Sequence, residues 1–163
     1  MKVDNLRELL IDELRDLYSA ETQLSKALPN LAKHCTGSQL KQAVEHHQKE
    51  TENQVKRLEQ IFQRMNQNPK GKTSESMKGL IEEISVRVND GGNPQTVDAG
   101  IVANAQRIVH HNISAYGTAR SFANQLREPE AVRLLEESLK EEKNADATLN
   151  RIAESTNQEA KAA

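Results

Sequence analysis

Leucines at positions 10, 14, 17, 24, 28 and 31 step through the first part of the chain by alternating fours and threes. That spacing is the repeat of one buried stripe along an α-helix and is incompatible with the two-residue repeat of a strand. The stripe has one gap, and the residue in the gap is Glu21. A carboxylate facing a core is costly unless a partner, a proton or a cation accompanies it. Whatever accommodates Glu21 must arrive from the other helices at the same height.

Aliphatic side chains have to build the core, because aromatic residues make up 2% of the chain and Trp is absent. With 28% charged residues, seven Gly and four Pro, the composition suits long solvated helices joined by few turns. The length of 163 residues fits one domain, with residues 1–155 as the bundle and 156–163 as a flexible tail lacking apolar anchors. A net charge of −2 supplies no positive field, so nucleic acid is not an expected partner. The single cysteine, Cys35, excludes an internal disulfide and a cysteine-based metal site; structural burial is its expected role. The opening MKVDNLRELL has no apolar signal core, and no apolar run is long enough to span a bilayer. A cytoplasmic protein with no membrane contact is expected.

In chain order, a first helix is predicted from a cap at Asp4 to about His34, kinked or broken at Pro29. Ser38 is the expected cap of a second helix running to about Gln67. A short amphipathic helix is predicted over 74–89, with Met77, Leu80, Ile81, Ile84 and Val88 on one face. Such a crossover would let the flanking long helices run parallel. The third long helix is predicted over 95–126, with Val97, Ile101, Ala105, Ile108, Asn112, Ala115, Ala119, Phe122 and Leu126 inward. The fourth covers about 130–153. The architecture is therefore all-α, a four-helix bundle with an extra crossover helix.

Each long helix interrupts its apolar seam near its midpoint: Glu21; His47 with Glu50, Thr51 and Gln54; Asn112; and Glu142 with Asp146. Midpoints stay level whichever way neighbouring helices run, so these residues are expected to form one layer. Glu21, Glu50, Glu142 and Asp146 would confine up to four negative charges, which call for protons or a cation. Lys and Arg are missing from the predicted inward positions. Carboxylates with the imidazole of His47 suit iron, manganese or zinc better than calcium or magnesium.

The stretches Asp16 to Glu21 (DLYSAE), His47 to Thr51 (HQKET), His110 to Thr118 (HHNISAYGT) and Leu134 to Asp146 (LLEESLKEEKNAD) resemble the YciE/YciF family of bacterial ferritin-like stress proteins, the YciF branch in particular. The resemblance covers nearly the whole chain. It implies a ferritin-like bundle, a homodimer, and an iron- or manganese-binding, ferroxidase-like activity in the response to stress. The ferritin-like pattern takes one Glu from each of two helices and Glu-x-x-His from each of the others. Carried over, Glu21 becomes a terminal ligand and Glu50 and Glu142 bridging carboxylates; His47, one turn before Glu50 instead of after it, departs from the pattern but is the nitrogen ligand this chain offers. The chain departs from the pattern at Asn53 and Ala145, where the histidines would stand, and Asp146 is the candidate substitute on the last helix. It departs again at Asn112, where the family pattern has a glutamate, and at Val109, where a further acid would stand. The reading that competes with a metal centre is a metal-free bundle, a dimeric structural or interaction protein with a degenerate site.

Among the remaining polar residues, His111 flanks the seam and is, with Asn112, a candidate weak ligand or supporting residue of the layer, whereas His110 is expected at a helix–helix boundary, since neighbours on a helix point about 100° apart. Tyr18 and Tyr116 are candidate hydrogen-bond donors to the carboxylates. The charged run 140–143 reads as a solvated face apart from Glu142. No phosphate-binding loop and no nucleophile–base spacing is present, which leaves hydrolase and nucleotide-binding functions without support.

Overall fold

The computed structural model describes residues 2–163 and consists of five helices: α1 (Leu6–His34), α2 (Ser38–Arg64), α3 (Glu75–Asp90), α4 (Pro94–Gln125) and α5 (Pro129–Ala162). The four long helices form the bundle. Side-chain bonds fix their directions. Asp98 at the start of α4 meets Thr36 and Gly37, where α1 ends and α2 begins, while Arg7 near the start of α1 pairs with Glu128 before α5. Hence α2 and α4 run parallel, and α1 and α5 run antiparallel to both. The short α3 makes this possible: it carries the chain back along α1 and α4 between the two parallel helices.

Local chemistry explains most boundaries. Asn5, rather than Asp4, caps α1: its side chain accepts from the Glu8 amide at 3.0 Å, while Glu8 reaches back to the Asp4 amide at 2.8 Å. α1 continues unbroken through Pro29, which lies on its exposed face. There, the carbonyl that loses its partner can turn to water. α2 ends at Arg64, before the predicted Gln67, because Asn66 takes up φ 53° and Gln67 N–H bonds back to Phe62 O at 2.9 Å. Arg127, at φ 56°, closes α4 in the same way. The residues after Glu154 are helical to Ala162 rather than frayed. They contain no Gly or Pro to stop the helix, and Thr156 is buried against the bundle.

Ser38 does not cap α2. That role falls to Asp98 from α4, which accepts from Thr36 N at 3.0 Å, Thr36 Oγ1 at 2.7 Å and Gly37 N at 2.7 Å. A Cβ on residue 37 would come within 3.3 Å of the Asp98 carboxylate, which favours glycine at this close approach.

Two apolar clusters fill the bundle. One holds Leu24, Leu28, Leu31, Val44, Ile101, Ile108, Leu149 and Ile152 together with Met77, Ile84 and Val88 of α3. The other holds Leu10, Leu14, Leu17, Leu58, Phe62, Leu135 and Leu139. In its second half α4 turns Tyr116, Ala119 and Ala123 inward, leaving the expected Ala115 and Phe122 only half-buried. Between the clusters lies a buried polar layer. No helix among the described residues is long and apolar enough to cross a membrane.

Candidate functional site

The layer draws on every long helix at the seam interruption. α1 supplies Glu21, α2 supplies His47, Thr51 and Gln54, α4 supplies Asn112 and Tyr116, and α5 supplies Ser138 and Glu142; all are buried. His47, Thr51 and Gln54 follow one another by four and three residues, so one face of α2 carries all three inward. Glu50 lies about 60° off that stripe at 100° per residue.

Two hydrogen-bonded groups make up the layer. In the first, His47 Nε2 lies 3.2 Å from Glu142 Oε1, and the same oxygen accepts from Gln54 Nε2 at 3.0 Å. Gln54 also donates to Glu141 at 3.0 Å, and the Arg57 guanidinium grips Glu141 with two bonds of 2.7 Å. In the second, Asn112 Nδ2 donates to Glu21 Oε1 at 3.1 Å. Asn112 Oδ1 faces His111 Nδ1 at 3.2 Å, and His111 Nε2 reaches Ser76 Oγ of α3 at 2.8 Å. Through Ser74, which bonds to Asp16, this second group ties the crossover helix to the centre of the bundle.

Burial and charge set the protonation of the layer. Burial, reinforced by the charge of Glu142, pushes the Glu21 carboxyl up to about 8, against the opposing influence of Tyr116, His47 and Asn112. Burial alone would lower His47, but the charge and hydrogen bond of Glu142, with Glu21 and Glu50 adding, outweigh it and raise the imidazole to about 9. At neutral pH the centre therefore holds an imidazolium facing Glu142 and a protonated Glu21. Tyr116 is raised well above the ordinary phenol range by burial and by Glu21, so it remains a phenol. Glu21 Oε2, Glu142 Oε2, Gln54 Oε1, Thr51 Oγ1 and the Tyr116 hydroxyl are buried without a protein partner at hydrogen-bond geometry.

The four-carboxylate cluster expected from the sequence does not form. Glu21 and Glu142 enter the layer. Glu50 sits at the rim, 16% exposed, with His46 Nε2 at 3.0 Å. Burial raises its carboxyl, while His46 counters that rise. Asp146 pairs with the exposed His110 at 2.9 Å. Tyr18 also turns away: its hydroxyl donates to Glu59 at 3.2 Å and its ring packs edge-on against Phe62. Tyr116 is the tyrosine that belongs to the centre.

Three features escape the seam reading. Arg57 supplies the cation that the inward positions lack, entering from one turn beyond Gln54, and Glu141 is its partner rather than part of a solvated run. Asp98 reveals itself in sequence only as an acid between the apolar Val97 and Ile101. Ser76 has no sequence signal, because its link to His111 depends on where α3 docks.

Among the described residues, no three His, Cys, Asp or Glu side chains converge closely enough to hold a metal ion as placed. Two carboxylates, one imidazole already paired with one of them, and the neutral amide of Asn112 do not fit a dinuclear carboxylate centre.

Comparison with known proteins agrees with the architecture. Residues 5–162 match the profile of a domain of unknown function, DUF892. The chain is 36% identical over 154 residues to protein YciF of Escherichia coli K12, covering 94% of this chain and 93% of that protein. The crystal structure of the E. coli stress protein YciF superposes with a TM-score of 0.92 at 34% identity, covering 96% of this chain and 99% of the other. YcfI from Rhodopseudomonas palustris, described as a candidate structural protein, superposes with a TM-score of 0.88 at 38% identity, covering 91% and 95%. Nearly end-to-end agreement in both sequence and fold places this chain in the DUF892 family, alongside YciF.

Proposed function

We propose that this chain is a stress-response protein of structural or interaction type, whose central layer is a metal-free remnant of a ferritin-like centre balanced by protons. The disposition of the acids carries this reading. Glu50 is engaged by His46, Asp146 by His110, and Glu142 by His47 and Gln54, so the side chains that would surround a metal already partner one another. Asn112 and Ala145 stand where a stronger ligand set would need a carboxylate and an imidazole. The kinship with a stress protein supports the biological setting. Self-association into a homodimer belongs to the same reading, with sedimentation equilibrium as its measurement.

The test is elemental analysis of protein purified without chelator, followed by anaerobic titration with Fe(II) and Mn(II). Substoichiometric metal and an Fe(II) oxidation rate equal to that of buffer are the expected results. Stoichiometric metal that disappears in Glu21→Gln and Glu142→Gln would overturn the proposal.

One observation favours a second reading. Glu21 Oε2 and Glu142 Oε2 have no protein partner, and although these side chains and His47 do not converge on one point, a rotation of the two carboxylates toward His47 would offer a single divalent cation, iron or manganese, two oxygens and a nitrogen. Such a cation would replace the protons of Glu21 and His47 at equal charge, so uptake would strengthen with rising pH and release protons. Bound iron would supply ferroxidase-like redox chemistry.

A further inference from the structure

Next to the polar layer, within the apolar cluster that contains Leu28 and Leu149, the four long helices enclose a cavity of about 70 Å3. Its apolar walls are Leu28 and Leu31 of α1, Val44 of α2, Ile108 of α4 and Leu149 of α5. The space exists because three alanines meet there: Ala43 on α2, Ala105 on α4 and Ala145 on α5. Ala145 stands three residues after Glu142, where ferritin-like bundles carry a histidine. A methyl group at this position leaves open the room that an imidazole ring would fill. His46, His47 and Glu50 contribute the polar part of the lining, and the exposed His46 and Asn144 mark the way to solvent.

The geometry points to a binding site for a small neutral ring compound, the size of a five-membered nitrogen heterocycle, with its apolar edge against Leu28, Val44 and Ile108 and its polar edge toward His46, His47 and Glu50. The walls favour a ligand without net charge, because an ionised one would lose its hydration against aliphatic carbon while the charged groups of the lining are already engaged, His47 by Glu142 and Glu50 by His46. The volume determines the size. A closed apolar cavity of about 150 Å3 accepts benzene, so one of about 70 Å3 that opens toward solvent past His46 and Asn144 takes at most a five-membered ring. The polar lining determines orientation, since only one side of the cavity offers hydrogen-bonding groups. His47 alone is shared with the central layer; the aliphatic walls and the three alanines stand whether protons or a cation balance Glu21 and Glu142.

Pyrazole is a suitable probe, being neutral across the working range. The experiment titrates pyrazole into the full chain, stripped of metal with chelator, and follows methyl NMR signals. Expected are saturable shifts confined to Leu28, Leu31, Val44, Ile108 and Leu149, with a Kd on the order of millimolar for so small a ligand. Ala145→Leu, which fills the cavity, should weaken binding at least tenfold, and exposed Ala103→Leu should leave it unchanged. If Ala145→Leu does not fold, Ala43→Val fills the same space from α2 with the same expectation. A response that fails to saturate, shifts centred elsewhere, or equal binding by the filled variant would overturn the proposal.

Discussion

His47 Nε2 and Glu142 Oε1 lie 3.2 Å apart in the buried centre of the bundle, linking α2 to α5 across the gap between two apolar clusters. Glu142 is the principal charge acting on His47; it is wholly buried, while His47 borders the cavity that leads past His46 to solvent. Glu142→Ala should therefore destabilise the protein by about 3–5 kcal/mol, the usual cost of stranding one member of a buried pair. Equilibrium urea unfolding measures this loss. A loss below about 1 kcal/mol would show that the pair is solvated.

Stability should fall as pH rises. The folded protein holds protons on Glu21 and His47 that the unfolded chain releases, because both groups are raised, to about 8 and about 9. Glu21 contributes no pH dependence below its ordinary carboxyl range; its effect grows from there and levels off near pH 8. The stabilisation from His47 is complete below its ordinary value near 6.5 and is lost as pH rises through about 9. Between pH 6.5 and 8 the two effects reinforce each other, at about 1 kcal/mol per pH unit for each group. Glu21→Gln, which imitates the protonated acid, should flatten the melting temperature profile in this interval. An unchanged slope in this variant would refute the assignment to Glu21.

Asp98→Ala should remove the cap that α4 provides for α2 and leave three donors around Thr36 and Gly37 without their acceptor. A loss of about 2 kcal/mol is expected from the cap and the partly buried donors together. Hydrogen exchange should accelerate in the first turn of α2 and spare α5. Uniform acceleration over the whole chain would point to global destabilisation in place of a local cap.

Restoring two missing ligands tests why the layer lacks a metal geometry. Asn112→Glu with Ala145→His adds a carboxylate beside Glu21 and an imidazole one turn from Glu142. The double variant should bind close to one or two Mn(II) or Fe(II) per chain, at least a hundredfold more tightly than the parent. Equal affinities would mean that the limiting feature lies elsewhere in the layer.

The extent of the helices was largely legible in sequence. The leucine steps of α1 and the midpoint interruptions on every long helix follow from helical periodicity, which is local geometry. The residues of the buried layer and the acids at its rim differ in this respect. Glu21, His47, Asn112 and Glu142 could be placed at one level because each replaces an apolar residue on its own helix. Glu50 and Asp146 could not be excluded by spacing, since one turn from an inward residue leaves a long side chain free to point either way. Their direction is settled by His46 and His110, which offer them partners at the edge of the bundle. Arg57 was missed for the converse reason: its Cα lies off the stripe, and its length carries the guanidinium to Glu141.

The sequence by itself determined an aliphatic helical bundle carrying one polar residue or cluster at the middle of each long helix. Periodicity suffices for that, because side-chain direction repeats with the backbone. Tertiary structure alone decided which acids share the buried volume and which remain at the rim, and it placed Asp98 over the start of α2. Those outcomes depend on distances between atoms far apart in the chain, and each side chain adopts the rotamer whose partner compensates best for lost hydration.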